Sequence, residues 1–269
     1  MRTLVAIPVY NEQQYVDKVL AEVSKYAEDI LIIDDGSTDA TPCMIAQHPV
    51  DVVRHKTNLG YGRSIQDAFR WAQCYGYDWL ITMDCDEQHE PQSLPDFFEA
   101  IKRDDADILS GSRYLDCELT ADLPPEDRRN INKTVTHWVN DHLDMSISDA
   151  FCGFKAMRTS AIRKLEITQD GYAIPLQLWV QAAAHNLRVT EVPIRLIYND
   201  PNRSFGGKLD DAAHRLQVYR EVFCDELAKY PDVFNKPCNC LLGLSPTPGE
   251  QAAAQLHMQK RSQPAGSAK

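Results

Sequence analysis

Three acidic clusters carry the chemistry most plainly: Tyr10-Asn11-Glu12, Asp34-Asp35-Gly36-Ser37-Thr38-Asp39 and Asp84-Cys85-Asp86-Glu87-Gln88. Each follows a short apolar, β-branched run (3–9, 30–34 and 79–83) that reads as a strand. Taken singly, Asp and Asn at such places cap helices and make turns. Three together on one sheet edge would repel one another unless a cation joined them. The alternate spacing of Asp84 and Asp86 lets a turn aim both carboxylates at one ion while Cys85 points away, and Gln88 can add an amide oxygen. That set suits Mg2+ or Mn2+, hard cations that take one or two carboxylates and complete their shell with water and substrate phosphates.

A fourth cluster, Asn58-Leu59-Gly60-Tyr61-Gly62-Arg63-Ser64, stands between a strand and a helix. Glycines there allow close backbone approach, and a helix N-terminus favours an anion, so Gly62 and Arg63 are placed beside a diphosphate. A plain turn with left-handed glycines is the alternative. The cluster lacks the third glycine of a dinucleotide fingerprint and follows the third strand rather than the first, which argues against NAD.

The elements that must position these groups alternate strand and helix up to about residue 110, the pattern of a largely parallel sheet covered by helices. Expected strands are 3–9, 30–34, 50–54, 79–83 and 107–110. Tyr15, Val16, Val19, Leu20, Val23 and Ala27 recur at helical spacing, and further helices start near Thr41-Pro42 and Ser64. After an acidic, Pro-containing loop over 115–127 come a helix over 128–143, a strand over 151–157, a helix over 176–184, a strand over 188–197 and a last helix over 210–228. In open α/β sheets ligands bind beyond the carboxyl ends of the strands, which is where the acidic clusters fall.

Composition narrows the classes further. The 269 residues, 43% hydrophobic and 25% charged, are those of a globular chain, and a net charge of −11 opposes nucleic acid as a partner. No apolar run approaches the ~18–20 residues that span a bilayer, and no secretory leader is evident at Met1. The eight cysteines follow no zinc-site spacing, so reduced thiols in a cytoplasm are expected.

Seven motifs in order, Pro8-Val-Tyr-Asn-Glu12, Asp34-Asp-Gly-Ser-Thr-Asp39, Asn58-Leu-Gly-Tyr-Gly62, Met83-Asp-Cys-Asp-Glu-Gln88, Gly111-Ser-Arg-Tyr114, Cys152-Gly-Phe-Lys155 and Glu191-Val-Pro-Ile194, resemble family 2 glycosyltransferases with the GT-A fold. They look most like the dolichol-phosphate mannosyltransferase and polyprenyl-phosphate glycosyltransferase branch, over roughly residues 3–205. The resemblance implies a single, mostly parallel α/β sheet flanked by helices. A Rossmann-like sugar-nucleotide half would span 1–114 and an acceptor half 115–236, with a poorly ordered tail over 237–269. It also implies that Pro8, Tyr10, Glu12 and Asp35 hold the base and ribose of a GDP- or UDP-sugar. Asp84 and Asp86 would carry the metal with Gln88 nearby, and Arg113 and Arg203 would face phosphate. Gln177 stands where many relatives have glutamate.

The expected activity is inverting, metal-dependent transfer of a sugar from a nucleoside-diphosphate sugar. A phosphate monoester acceptor is already an anion and needs only positioning, whereas a sugar hydroxyl needs a base. Gln177 in place of a carboxylate leans toward a lipid-linked phosphate, with Asp149, Lys155 and Arg203 around it and Asp149 the fallback base for a hydroxyl. Ile131, Val135, Trp138, Val139 and His142 form a stripe that packs on the core or lines the acceptor groove. The protein is expected to be cytoplasmic or peripheral to a membrane. Alternatives are a non-catalytic sugar-nucleotide binder or partner subunit, a transferase acting on a sugar hydroxyl, and a nucleotidyltransferase. The last would want a Gly-rich loop with Arg or Lys where this chain has Tyr-Asn-Glu.

Overall fold

The computed structural model describes residues 1–85, 91–115, 125–195 and 207–234. The chain divides into Met1–Asn235 and Lys236–Lys269, and the expected tail lies outside the described residues. In chain order the elements are β1 (Thr3–Val9), α1 (Val16–Val23), β2 (Ile30–Asp34), α2 (Thr41–Ile45), β3 (Asp51–Arg54), α3 (Tyr61–Cys74), β4 (Trp79–Thr82), α4 (Leu94–Arg103) and β5 (Ile108–Ser112). They continue with α5 (Glu126–Leu143), β6 (Lys155–Arg158), α6 (Thr159–Ile162), α7 (Ile174–Ala184), β7 (Val189–Pro193) and α8 (Ala212–Leu227).

The strands form one seven-stranded sheet in the order β3-β2-β1-β4-β6-β5-β7. All pairings are parallel except those of β6, which runs antiparallel to β4 and to β5. Alternate residues of β1 divide between two cores, as the two-residue period of a strand requires. Val5, Ile7 and Val9 pack with α1 and α4, while Leu4 and Ala6 pack with α3 and α7. Covered on both faces, β1 and β2 are almost wholly buried, which is why they read as continuous apolar runs.

The stripe predicted for α1 is realised by Val16, Val19, Leu20 and Val23. On the same face Phe97 of α4 stacks on Phe154 with centroids 4.4 Å apart, and burial of each such ring stabilises by ~1.5–3 kcal/mol. The α4 helix is absent from the sequence expectations. Pro91 and Pro95 interrupt its apolar spacing, although Pro95 sits in the first turn, where proline is tolerated.

Helices α5, α7 and α8 pack on one another. Ile131, Val135, Val139 and His142 of the α5 stripe are buried, so the stripe serves mainly as core, and Trp138 is half-buried. Among the described residues Cys43, Cys74, Cys85 and Cys152 are free thiols.

Candidate active site

The carboxyl ends of β1 and β2 are stitched together by side chains that the strand-end motifs supply. Asn11, in a left-handed conformation, accepts from Thr38 N at 2.8 Å, and its own N–H donates to Ser37 Oγ at 3.0 Å. Asp34 accepts from Ser37 N at 2.8 Å and pairs with Arg54 at 3.0 Å, so this first aspartate holds the turn. Its neighbour Asp35 reaches the cleft wall.

The Asp35 carboxylate is itself held in place. Leu59 N donates to Oδ1 at 2.8 Å and Gly60 N to Oδ2 at 2.9 Å, while the His55 ring stands with Nδ1 2.7 Å from Oδ1. A carboxylate offers about four lone-pair sites, so three are engaged and one, on Oδ2, remains for a ligand. The other His55 nitrogen lies 3.0 Å from Asp67 Oδ2. Burial would raise the Asp67 carboxyl, but bonds from Arg63, Arg70 and His55 hold it below its ordinary value. His55 is not among the candidate residues that the sequence offers above. It directly follows β3, so the strand-end rule that singled out the acidic clusters also points to it.

Asp84 follows β4 and lies on the same cleft. A side chain on Gly153 would place its first carbon 2.5 Å from Asp84 Oδ2, so glycine is what lets the turn before β6 close on this carboxylate. Thr82 Oγ1 donates to Gly153 O at 2.9 Å and keeps the turn there. A carboxylate lodged in a polar cleft wall is a donor suited to a hard divalent cation that draws its other oxygens from substrate phosphate and water. Among the described residues no group of three or more His, Cys, Asp or Glu side chains could hold a metal by itself. Asp86 and Gln88 lie outside the described residues, as does Arg203.

Across the cleft, Arg113 follows β5 and forms a fork with the fully buried Asp149: Nε to Oδ2 at 2.6 Å and Nη2 to Oδ1 at 2.8 Å. Asn132 of α5 adds a bond to Oδ1 at 2.8 Å. Burial alone would raise the Asp149 carboxyl, but the Arg113 charge and these bonds outweigh it and hold it well below the carboxylate range. Glu191 of β7 accepts from the backbone N–H groups of Ser148 and Asp149 at 2.9 and 3.1 Å, which fixes the loop that carries Asp149. Lys155 is buried, which pushes its ammonium down from the usual lysine value, and it donates to Ser110 Oγ at 3.0 Å and to Cys152 O.

These elements enclose a cleft of about 850 Å³. Pro8, Tyr10, Glu12, Asp35, Asp84, Arg113 and Lys155 all line it. Asp149 does not, because it sits wholly buried in partnership with Arg113. Gly62 and Arg63 are also drawn away from the cleft: Gly62 is buried against the carbonyls of Gln169 and Asp170, and Arg63 pairs with Asp67 at 3.0 Å. The glycine cluster thus serves a helix-to-loop contact, and Asn58, Gly60, Tyr61 and Ser64 are its members on the wall. The far wall carries Ile131, Phe151, Leu209 and Tyr219, with Arg128 and Arg215.

Comparison with known proteins agrees with this geometry. The family model described as glycosyl transferase family 2 matches residues 4–166. Undecaprenyl-phosphate mannosyltransferase of Micrococcus luteus is 29% identical over 214 residues, 76% of this chain and 87% of the relative. Polyprenol monophosphomannose synthase of Mycolicibacterium smegmatis is 29% identical over 204 residues, 72% of this chain and 76% of the relative. Among solved structures, glucosyl-3-phosphoglycerate synthase from Mycobacterium tuberculosis in complex with UDP superposes with a TM-score of 0.66 at 15% identity, over 84% of this chain and 80% of that one. Acidic strand ends gathered on one cleft, the GT-A sheet beneath them and a family match over more than half of the residues lead to one assignment: the chain belongs to glycosyl transferase family 2 and is a glycosyltransferase.

Proposed function

We propose that this glycosyltransferase moves a hexosyl group from a nucleoside-diphosphate sugar to a polyprenyl phosphate, with inversion at the anomeric carbon. The observation that carries the acceptor class is the state of Asp149. A base for a sugar hydroxyl needs a carboxylate that can take a proton near neutral pH, and Asp149 is tied to Arg113 and Asn132 with its carboxyl held far below that range. A phosphate monoester needs no such base. The relatives named for undecaprenyl and polyprenol phosphate support the same reading, which would bring the enzyme to a membrane surface to meet its acceptor. No helix among the described residues is long and apolar enough to cross a membrane.

In this reading Pro8, Tyr10, Glu12 and Asp35 bind the base and ribose, and Arg113 and Lys155 face phosphate across the cleft. Asp84 and Asp86, with Gln88, would hold Mg2+ or Mn2+, and Arg203 would face phosphate. A divalent ion bound there supplies charge neutralisation for the departing diphosphate. The chain's own contribution is to orient the donor on the strand ends and to hold the acceptor phosphate in line.

The test is transfer from labelled GDP-mannose, UDP-glucose and UDP-N-acetylglucosamine to undecaprenyl phosphate in detergent with Mn2+, run beside free sugars as acceptors. Product on the lipid phosphate with inverted configuration is expected. Transfer only to sugar hydroxyls, abolished by Asp149→Asn, would overturn the acceptor class, and an equal rate in EDTA would overturn the metal.

A further inference from the structure

Gln177 and Glu226 lie outside the cleft, yet both are almost wholly buried, and each is bonded through every polar atom it has. Gln177 Oε1 accepts from Thr168 N and from Gln169 N, each at 2.9 Å. Its Nε2 donates to Glu226 Oε2 at 2.6 Å and to Thr168 Oγ1 at 3.1 Å. Glu226 Oε1 accepts from Gln181 Nε2 at 2.8 Å, and Lys229 adds a bond to Oε2 at 2.7 Å. The pair joins α7 to α8, and through one amide oxygen it grips the backbone of the loop that precedes α7.

That loop is pressed against the nucleotide side of the cleft. Gln66 of α3 donates to Gln169 O at 3.1 Å and to Asp170 Oδ1 at 3.2 Å, and Arg63 N donates to Asp170 O at 3.2 Å. A side chain on Gly60 or Gly62 would fall 2.3 Å from Asp170 O or 2.2 Å from Gln169 O, so two glycines permit the approach. Gly171 and Tyr172 then line the cleft, with Tyr172 stacked on Tyr61 at 5.7 Å between centroids. Gly60, held on one side by this loop, donates on the other to Asp35.

We propose that Gln177 and Glu226 are positioning residues that clamp the 168–172 loop, and through it the Gly60–Tyr61 wall and Asp35, in the geometry that binds the nucleotide. Asymmetry of the pair is essential to the clamp. Gln177 must accept from two amide N–H groups and also donate to a carboxylate, which glutamate at 177 beside Glu226 cannot do. The exchanged pair, glutamate at 177 and glutamine at 226, can: the carboxylate accepts from Thr168 N, Gln169 N and the new amide, whose oxygen accepts from Gln181, while the half-exposed Lys229 gives up its bond to position 226 and turns to solvent. Reliance on the cleft as the nucleotide site comes from the function proposed above; the clamp itself is read separately.

The experiment compares wild type, Gln177→Glu, Glu226→Gln and the double exchange in the full chain. Two readings are taken: hydrogen exchange at the amides of Thr168, Gln169 and Arg63, and the dissociation constants of GDP and UDP with Mn2+ by calorimetry. Both single variants are expected to exchange faster at all three amides and to bind the preferred nucleotide about tenfold more weakly. The double exchange should restore both to within about threefold of wild type, the non-additivity expected of residues in one hydrogen-bond network. Unchanged protection at Arg63 in the singles, or a double variant no better than the worse single, would overturn the clamp. Restored exchange in a protein whose nucleotide affinity never changed would leave a structural bridge only and overturn the positioning role. Wild type that binds neither nucleotide but shows the exchange pattern would defeat the nucleotide-site reading and, with it, the positioning role, while locating the failure in the former.

Discussion

The two sides of the cleft are built on different terms. On one side Tyr10, Glu12, Asp35 and Asp84 follow parallel strands and Pro8 lies in β1 itself, and the neighbouring loops are joined by short bonds such as Asn11 to Thr38. On the other side Arg113 reaches the cleft through buried partners from several other elements: Asp149, Asn132 and, through the loop that carries Asp149, Glu191. A strand end presents a side chain by topology alone, so its partners can be few. Arg113 also follows a strand, but it faces a fully buried carboxylate whose charge must be matched, so it is set by a network. Substitutions should therefore change ligand binding on the first side and stability on the second.

The largest effect is expected from Arg113→Ala. It strands the buried Asp149 carboxylate and should cost ~3–5 kcal/mol in chemical denaturation, whereas removing both partners should cost less. The pH dependence has a definite sign. Asp149 is held below its unfolded value of about 3.9, so its contribution is complete above that pH and is lost as pH falls through the lower folded value. Asp149→Asn should therefore flatten the acid limb of a stability-against-pH curve, and an unchanged limb would remove the pair from the comparison.

Next is Asp84→Asn, which should lower turnover with Mn2+ about a hundredfold or more while the denaturation midpoint stays near wild type. A smaller loss in turnover than in stability would break the contrast between the two sides. Asp35→Ala should weaken nucleotide binding by ~1–3 kcal/mol in calorimetry. The smallest change is expected from His55→Ala, ~0.5–1.5 kcal/mol in the same measurement, because it acts only through Asp35. Equal losses in the two variants would make His55 a direct contact.

The same contrast decides what could be read without coordinates. Strands β1 and β2 match their expected bounds residue for residue, and Glu12, Asp35 and Asp84 lie where the strand-end rule puts them, because period and position are local properties. The antiparallel course of β6 was not legible: Lys155-Ala-Met-Arg158 has the apolar character of any central strand, and its direction is set by where the chain re-enters the sheet. Asp149 could be singled out as a carboxylate near the motif Cys152-Gly-Phe but not recognised as Arg113's partner, since 36 residues separate the two. Gln177 could be noticed as a departure from relatives, while Glu226, 49 residues on, gave no sign of answering it.

The reversal at β6 also makes part of the chain exchangeable. Because β5 and β6 are antiparallel neighbours, the polypeptide leaves the sheet after Ser112 and returns at Lys155 on the same edge, where Gly111 N donates to Phe154 O at 2.7 Å. The stretch between them is a closed excursion with its two ends already fastened, and lengthening such an excursion costs only about 0.6 kcal/mol for each doubling. Residues 113–150 could therefore be exchanged as a cassette, provided that α5 keeps its packing on α7 and α8, while Gly153 and Phe154 stay in place against Asp84 and Phe97. A chimera that takes this cassette from a relative with another acceptor should keep its nucleotide preference and inherit the donor protein's choice of acceptor.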